Sequence, residues 1–154
     1  MTIVLLASDG SAAAHRAIVR GVTVLGTDHR FVALSVVPPA FVPATPLSPM
    51  DNHPAMSDPE LEERVEQEEE ADSTTALAGL VQELGIDADQ RVVVGEPGPT
   101  ICDLAQELAA DVVVIGSHGH GWLRRVFLGS VSQHVLHHSP CPVLVIRASD
   151  DDRA

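Results

Sequence analysis

The strongest constraint on this chain is a regular alternation along its length. Five strand-sized apolar runs, at residues 3–7, 31–37, 91–94, 112–115 and 143–146, are separated by segments with apolar residues at helical spacing. The first run, Ile3-Val4-Leu5-Leu6-Ala7, has no polar residue, as expected of a strand covered on both faces. Ser11 is placed to cap a helix carrying Ala14, Ile18, Gly21, Val22 and Leu25 on one face, and Gly26 ends it. A long helix is expected over 59–84 and another around Ile101, Leu104, Ala105 and Leu108, with a short one over 129–138. Strands joined by helical crossovers give a doubly wound, five-stranded parallel α/β sheet with helices on both faces. No internal repeat or linker divides the chain, so residues 1–154 are expected to form one domain. Ligands of such sheets bind beyond the carboxyl ends of the strands, where the strand order reverses.

Two segments fall outside the alternation. Residues 38–59 hold seven of the 11 prolines and show no amphipathic period; long connections of this kind are usually lids or other functional loops. Residues 148–154 form an acidic tail. The net charge is −13, but nine of the 22 acids lie between Asp58 and Asp72. Most of these are expected on a solvated helix face, with Glu62, Glu66 and Glu70 repelling mildly at i, i+4 spacing.

The chain contains no lysine: all nine basic residues are arginine. Lysine-dependent phosphate loops and Schiff-base chemistry are therefore excluded. The acidic balance argues against general affinity for nucleic acid or anionic membranes, and no apolar run is long enough to span a bilayer. The start of the chain, with Asp9 close behind the first apolar run, does not read as a signal peptide. Two cysteines, Cys102 and Cys141, form neither a metal set nor a disulfide framework, and a reducing, cytoplasmic setting fits them.

The segment from Gly116 to Ser132 carries the most chemistry. It contains Gly116, Gly119, Gly121 and Gly129, with Ser130 and Ser132 opening the expected helix. A dinucleotide fingerprint starting at Gly119 meets Arg124 where its last glycine belongs, and a Walker-type loop starting at Gly116 meets Trp122 in place of its lysine. Glycines still allow backbone N–H groups to approach an oxyanion, and a helix N-terminus favours one. Residues 112–147 hold three arginines and no acid, the one basic island in the sequence. A glycine-rich turn followed by a capping serine accounts for the same residues. His118, His120, His134, His137 and His138 crowd the region, and phosphate contact, helix capping or a transition-metal site are all open to them.

The spacing Gly116-x2-Gly119-x9-Gly129-Ser130 resembles the nucleotide-binding signature of the universal stress protein family. His138 to Arg147 is similar to that family's closing strand, and Ile3 to Ser11 to its first strand and turn. The resemblance spans nearly the whole chain and implies the ATP-binding branch. It implies that Gly116, Gly119, Gly129 and Ser130 cradle phosphates, with Ser132 a further donor. Asp9 would lie against ribose and adenine, and Val36, one residue from the alternative Val37, would line the adenine pocket. It further implies ATP, held with Mg²⁺, and a homodimer through Val143–Ile146. The expected role is a nucleotide-dependent regulator with an unidentified protein partner, leaning away from an enzyme. The alternatives are a slow ATPase or phosphoryl-transfer enzyme, and an interaction module with an unused pocket.

Overall fold

The structure is a computed structural model that describes residues 1–42, 58–118 and 128–147. Gly119, His120, Trp122, Arg124, Arg125, most of the proline-rich loop and the acidic tail lie outside the described residues.

The elements, in chain order, are β1 (Ile3–Ser8), α1 (Ala12–Leu25), β2 (Arg30–Val37), α2 (Pro59–Leu84), β3 (Ala88–Val94), α3 (Pro97–Glu107), β4 (Val112–Gly116), α4 (Ser130–His138) and β5 (Val143–Ile146). The strands are parallel in the order β3-β2-β1-β4-β5, so the expected doubly wound sheet is found. Chain order runs outward from β1 to β3, then jumps back across β1 to β4. The reversal lies between β1 and β4, whose carboxyl ends are Ser8 and Gly116.

Two cores explain why the central strands read as unbroken apolar runs. Successive side chains of a strand point to opposite faces. Val4 and Leu6 of β1, Phe31 of β2 and Val114 of β4 pack with Ile18, Val22 and Leu80 beneath α1 and α2. Leu5, Ala7, Val32, Leu34, Val113 and Ile115 pack with Ile101, Leu104, Ala105 and Val135 beneath α3 and α4. Each large side chain fully buried in this way is worth about 1.5–3 kcal/mol.

Ser11 caps α1, its Oγ accepting from Ala14 N at 3.1 Å, and Gly26 ends the helix at φ 88°. Gly21 of α1 lies against β4, where a Cβ would come within 2.5 Å of Val114 Cγ1. β3 starts three residues before the expected Arg91. Ala88, Asp89 and Gln90 carry no apolar period because this is an edge strand, yet they pair with Phe31, Val32 and Ala33. Among the described residues no helix is long and apolar enough to cross a membrane.

Candidate functional site

Beyond the carboxyl ends of β1, β2 and β4 the structure opens into a cavity of about 1240 Å³. Small-molecule pockets commonly hold ~300–1,000 Å³, so the cavity has the size of a small-ligand site. The floor is apolar, formed by Ala7, Leu34, Val36, Val37, Ile101 and Ile115. It lies at the strand-order reversal, as a doubly wound sheet requires.

At the end of β1 the chain turns sharply. Ser8 Oγ accepts from Gly10 N at 3.1 Å, and Asp9 Oδ1 accepts from Ser11 N at 2.9 Å. Gly10 has φ 77°, a backbone conformation in which glycine avoids a Cβ penalty. The turn leaves the exposed Asp9 on the cavity rim and directs the chain into α1. Val36 is half-buried, packs against the α3/α4 core and lines the cavity; Val37 lines it too.

The β4–α4 side holds the glycine and serine residues. Ser117, just past β4, donates its N–H to Ile146 O at 2.9 Å, while its carbonyl accepts from Gly129 N at 2.7 Å and from Ser132 Oγ at 3.0 Å. Ser132 Oγ also lies 3.0 Å from Gly129 O. These bonds fasten the start of α4 to the end of β4. Gly129 is the N-cap of α4 and supplies no side-chain cap, unlike Ser11 of α1 and Asp58 of α2. The residues of the first turn of α4 line the cavity, and no capping side chain accepts from their amides, an arrangement that favours an anion. The first turn of α3 offers less, because Pro97 and Pro99 have no N–H.

Six of the seven residues singled out from the sequence line this cavity: Asp9, Val36, Gly116, Gly129, Ser130 and Ser132. Gly119 lies outside the described residues. Ser132 differs from expectation in its chemistry. Its hydroxyl is buried and its proton is directed at backbone carbonyls, so it braces the cradle rather than offering a free donor.

Helix α2 contributes more than its sequence suggests. Glu69, Asp72 and Ser73 form part of the cavity wall. Glu62 and Glu66 are half-buried rather than part of a solvated face. Glu66 Oε1 accepts from Ala40 N at 3.0 Å, and Glu62 Oε1 from Val42 N at 3.2 Å. Spacing i, i+4 aligns both carboxylates along one strip of helix, which is what holds the chain leaving β2. Pro38, Pro39 and Ala40 of that segment form the adjoining rim. The signal available in the sequence was this spacing opposite a proline-rich exit.

Elsewhere, His134 is wedged between α4 and α3, where a Cβ on Gly98 would come within 2.8 Å of its ring. It stacks on His138 with centroids 4.2 Å apart, and His138 Nδ1 bonds to His134 O at 2.9 Å. These histidines serve packing and the helix end. Cys102 is buried in the α3/α4 core; burial, then the nearby Asp103 and Cys141, push its thiol pKa up.

The universal stress protein family model matches residues 1–147. Among curated relatives, the chain is 46% identical over 72 residues to the universal stress protein Sll1388 of Synechocystis, covering 47% of each chain. It is 31% identical over 101 residues to the universal stress protein MJ0531 of Methanocaldococcus jannaschii, covering 66% of this chain and 59% of the relative. The matched stretch thus spans about half the length of these relatives. Among solved structures, the universal stress protein UspA from Lactobacillus plantarum superposes with a TM-score of 0.77 at 26% identity, covering 95% of this chain and 97% of that one. A universal stress protein solved with cAMP has a TM-score of 0.62 at 21% identity, covering 96% of this chain and 98% of that one. A universal stress family protein of Arabidopsis thaliana solved with AMP gives a TM-score of 0.62 at 18% identity, covering 100% of this chain and 96% of that one. The match to the family model over residues 1–147 places the chain in the universal stress protein family.

Proposed function

We propose that the cleft binds an adenine nucleotide, ATP with Mg²⁺, and that the chain is a nucleotide-dependent regulator in the cytoplasm, of the family's ATP-binding branch. The observation that carries this reading is the chemical grading of one continuous cavity. At one side the uncapped amides of α4 and the Ser130 hydroxyl suit phosphate. The apolar floor of Val36, Val37 and Ile101 suits a base, and Asp9 on the rim would accept from a ribose hydroxyl. The AMP and cAMP complexes of the two structural neighbours support an adenine nucleotide in this fold. Among the described residues no three His, Cys, Asp or Glu side chains converge as a metal cage. Mg²⁺ would be brought in on phosphate oxygens, and Asp9 is the carboxylate at the end of β1.

The donor set of the described residues supports binding over turnover. The cradle is built from backbone N–H groups and hydroxyls, with no lysine anywhere in the chain to stabilise transferred charge. The test is to heat-denature the purified protein and assay the supernatant for nucleotide, then titrate ATP with Mg²⁺. Release or saturable binding is expected. Ser130→Ala should weaken ATP by about tenfold or more, the scale of one hydrogen bond to a charged group. No released nucleotide and no binding on titration would refute the reading.

The dimer proposal rests on β5. It is an edge strand whose four residues are all half-exposed, with no charge or proline among them. Pro142 O accepts from Val113 of β4 and Ile146 O from Ser117 just past it, so by alternation the backbone groups of Val143 and Val145 face the open edge. Val145→Pro should shift the chain from dimer to monomer in sedimentation velocity. A dimer undisturbed by that substitution would exclude edge pairing through β5.

A further inference from the structure

The chain leaving β2 is held at its base and at its tip, and by little in between. The base is fixed: Val37 pairs with Val94, and Val37 O accepts from Gly95 N at 2.9 Å. Pro38 and Pro39 follow, both exposed, with no N–H to donate and with φ restricted by their rings, so they form a stiff arm. The tip is gripped by α2. Ala40 N donates to Glu66 Oε1 at 3.0 Å, Val42 N donates to Glu62 Oε1 at 3.2 Å, and Val42 O accepts from Asp58 N at 2.8 Å. Burial adds little, because Phe41, the largest side chain of the segment, is 67% exposed.

Residues 38–42 are therefore attached by polar contacts rather than by the core. Hydrogen bonds to carboxylates are among the stronger ones, yet fixing the backbone of a residue costs free energy of the same order. Three bonds against five ordered residues leave the attachment near balance, the regime in which a segment opens without global unfolding. The same strip of α2 reaches the ligand cavity. Glu62, Glu66, Glu69 and Ser73 follow at i, i+4, i+7 and i+11, one face of a helix, and the last two line the cavity. Pro38, Pro39 and Ala40 line it as well, so Ala40 borders the cavity while its N–H is tied to Glu66. Whatever frees the two carboxylates frees this part of the rim.

We propose that residues 38–42 are a strap on the rim of the cleft, latched by Glu62 and Glu66, and that release of the latch sets how fast a ligand enters and leaves. The proposal rests on the nucleotide reading of the cleft and concerns exchange rates rather than affinity. Neither carboxylate lines the cavity, so the strap is the route by which they act. Because opening precedes entry and exit alike, loosening the latch changes both rate constants and leaves their ratio nearly constant.

The experiment follows binding of N-methylanthraniloyl-ATP with Mg²⁺ by stopped-flow fluorescence, and its release on a chase of unlabelled ATP. The native protein is compared with Glu62→Ala/Glu66→Ala and with Glu62→Gln/Glu66→Gln, whose amide oxygens can still accept from Ala40 and Val42. Thermal melts of each variant serve as the control for folding. The alanine pair should raise the association and dissociation rate constants together by about tenfold or more, the scale of a lost bond to a charged group, with Kd within about threefold of native. The glutamine pair should stay within about threefold of the native rates. Unchanged rates in the alanine pair, or faster release with a matching loss of affinity, would refute the latch. Equally faster association in both pairs would assign the effect to two lost charges acting on an anionic ligand, which also overturns the proposal. A native protein that binds no nucleotide would overturn the nucleotide reading and the exchange role with it, a result distinct from native binding that the variants leave unaltered.

Discussion

Replacing Gly21 by alanine should destabilise the protein although the residue lies in a helix interior, where alanine is the better helix former. A Cβ at that position would sit 2.5 Å from Val114 Cγ1, whereas carbon atoms pack at about 3.5–4.0 Å. Val114 is fully buried in β4, a strand flanked by β1 and β5, so neither its side chain nor the strand can retreat freely. Overpacking of this kind costs about 1–3 kcal/mol. The alanine propensity gain returns about 1 kcal/mol. Because an ångström must be absorbed, the upper part of the overpacking range applies, leaving a net loss of about 1–2 kcal/mol. At about 2–4 °C per kcal/mol for a chain of this size, Tm should fall by roughly 2–8 °C. Thermal melts and urea titrations read this as a lower midpoint at constant slope. Val114→Ala removes the clashing methyl, so the double variant should be more stable than the sum of the single losses by at least about 1 kcal/mol. The same displacement reaches the cleft: α1 also touches the end of β4, where a Cβ on Gly116 would lie 3.4 Å from Ala17 Cβ, and Ala14 lines the cavity. Gly21→Ala should accordingly weaken nucleotide binding without any contact to ligand. A variant as stable as the native protein, or a cycle in which the two losses simply add, would refute the close-packing argument.

Ser132→Ala removes a buried hydroxyl but leaves both of its acceptors with another donor, since Ser117 O still receives Gly129 N and Gly129 O still receives Gln133 N. The loss should be only about 1 kcal/mol, read as a Tm decrease of about 2–4 °C; a loss above about 3 kcal/mol would mean that an orphaned group is created after all. Substituting Glu62 and Glu66 together by alanine should speed amide hydrogen exchange at Ala40 and Val42 while lowering Tm by less than about 3 °C, and unchanged exchange would rule out the two carboxylates as anchors. Cys102, with its thiol pKa raised by burial, should alkylate more slowly than the half-buried Cys141 at pH 8, which peptide mapping after timed iodoacetamide treatment can decide. The sign of the linkage is that of a neutral thiol favoured by folding: its contribution to stability is present below the unfolded thiol pKa and declines as pH rises through it.

The parts of this fold legible in the sequence are those governed by burial on two faces. Strands β1, β4 and β5 announced themselves as runs of Val, Ile and Leu because both sides of the sheet are covered by helices. The bounds of α2 were equally plain, with Pro59 at its start and Gly85 beyond its end in the left-handed conformation. The opening of β3 was not legible, because an edge strand exposed along Asp89 and Gln90 loses the apolar pattern while keeping its backbone pairing. In the site, the glycines and serines were visible because their spacing is a local property of the chain. The contribution of α2 was not: Glu69 and Asp72 reach the cavity only because the sheet order sets α2 beside the end of β2. Glu62 and Glu66 looked like surplus charge until the fold supplied the two amides they accept.

That contribution sharpens the electrostatic problem the cleft must solve. The described residues that line it include Asp9, Glu69 and Asp72, and no arginine. A triphosphate entering such a cavity meets three carboxylates in a chain whose net charge is −13. Backbone amides and a helix dipole favour an anion by about 0.3–1 kcal/mol at an exposed site and up to ~2 kcal/mol when partly buried, and nearby carboxylates, even screened by solvent at exposed residues, work against that gain. Geometry resolves the conflict by separation. The phosphate-receptive amides belong to α4, beyond β4, whereas Glu69 and Asp72 belong to α2, which lies on the opposite face of the sheet beyond β2. On the proposed reading, a nucleotide laid across the reversal would keep its charged end on α4 and turn its base and ribose, which bring donors rather than charge, toward the carboxylates. The reversed pose places phosphate against acid. On the proposed nucleotide reading, the carboxylates of α2 would disfavour the reversed pose by repelling phosphate.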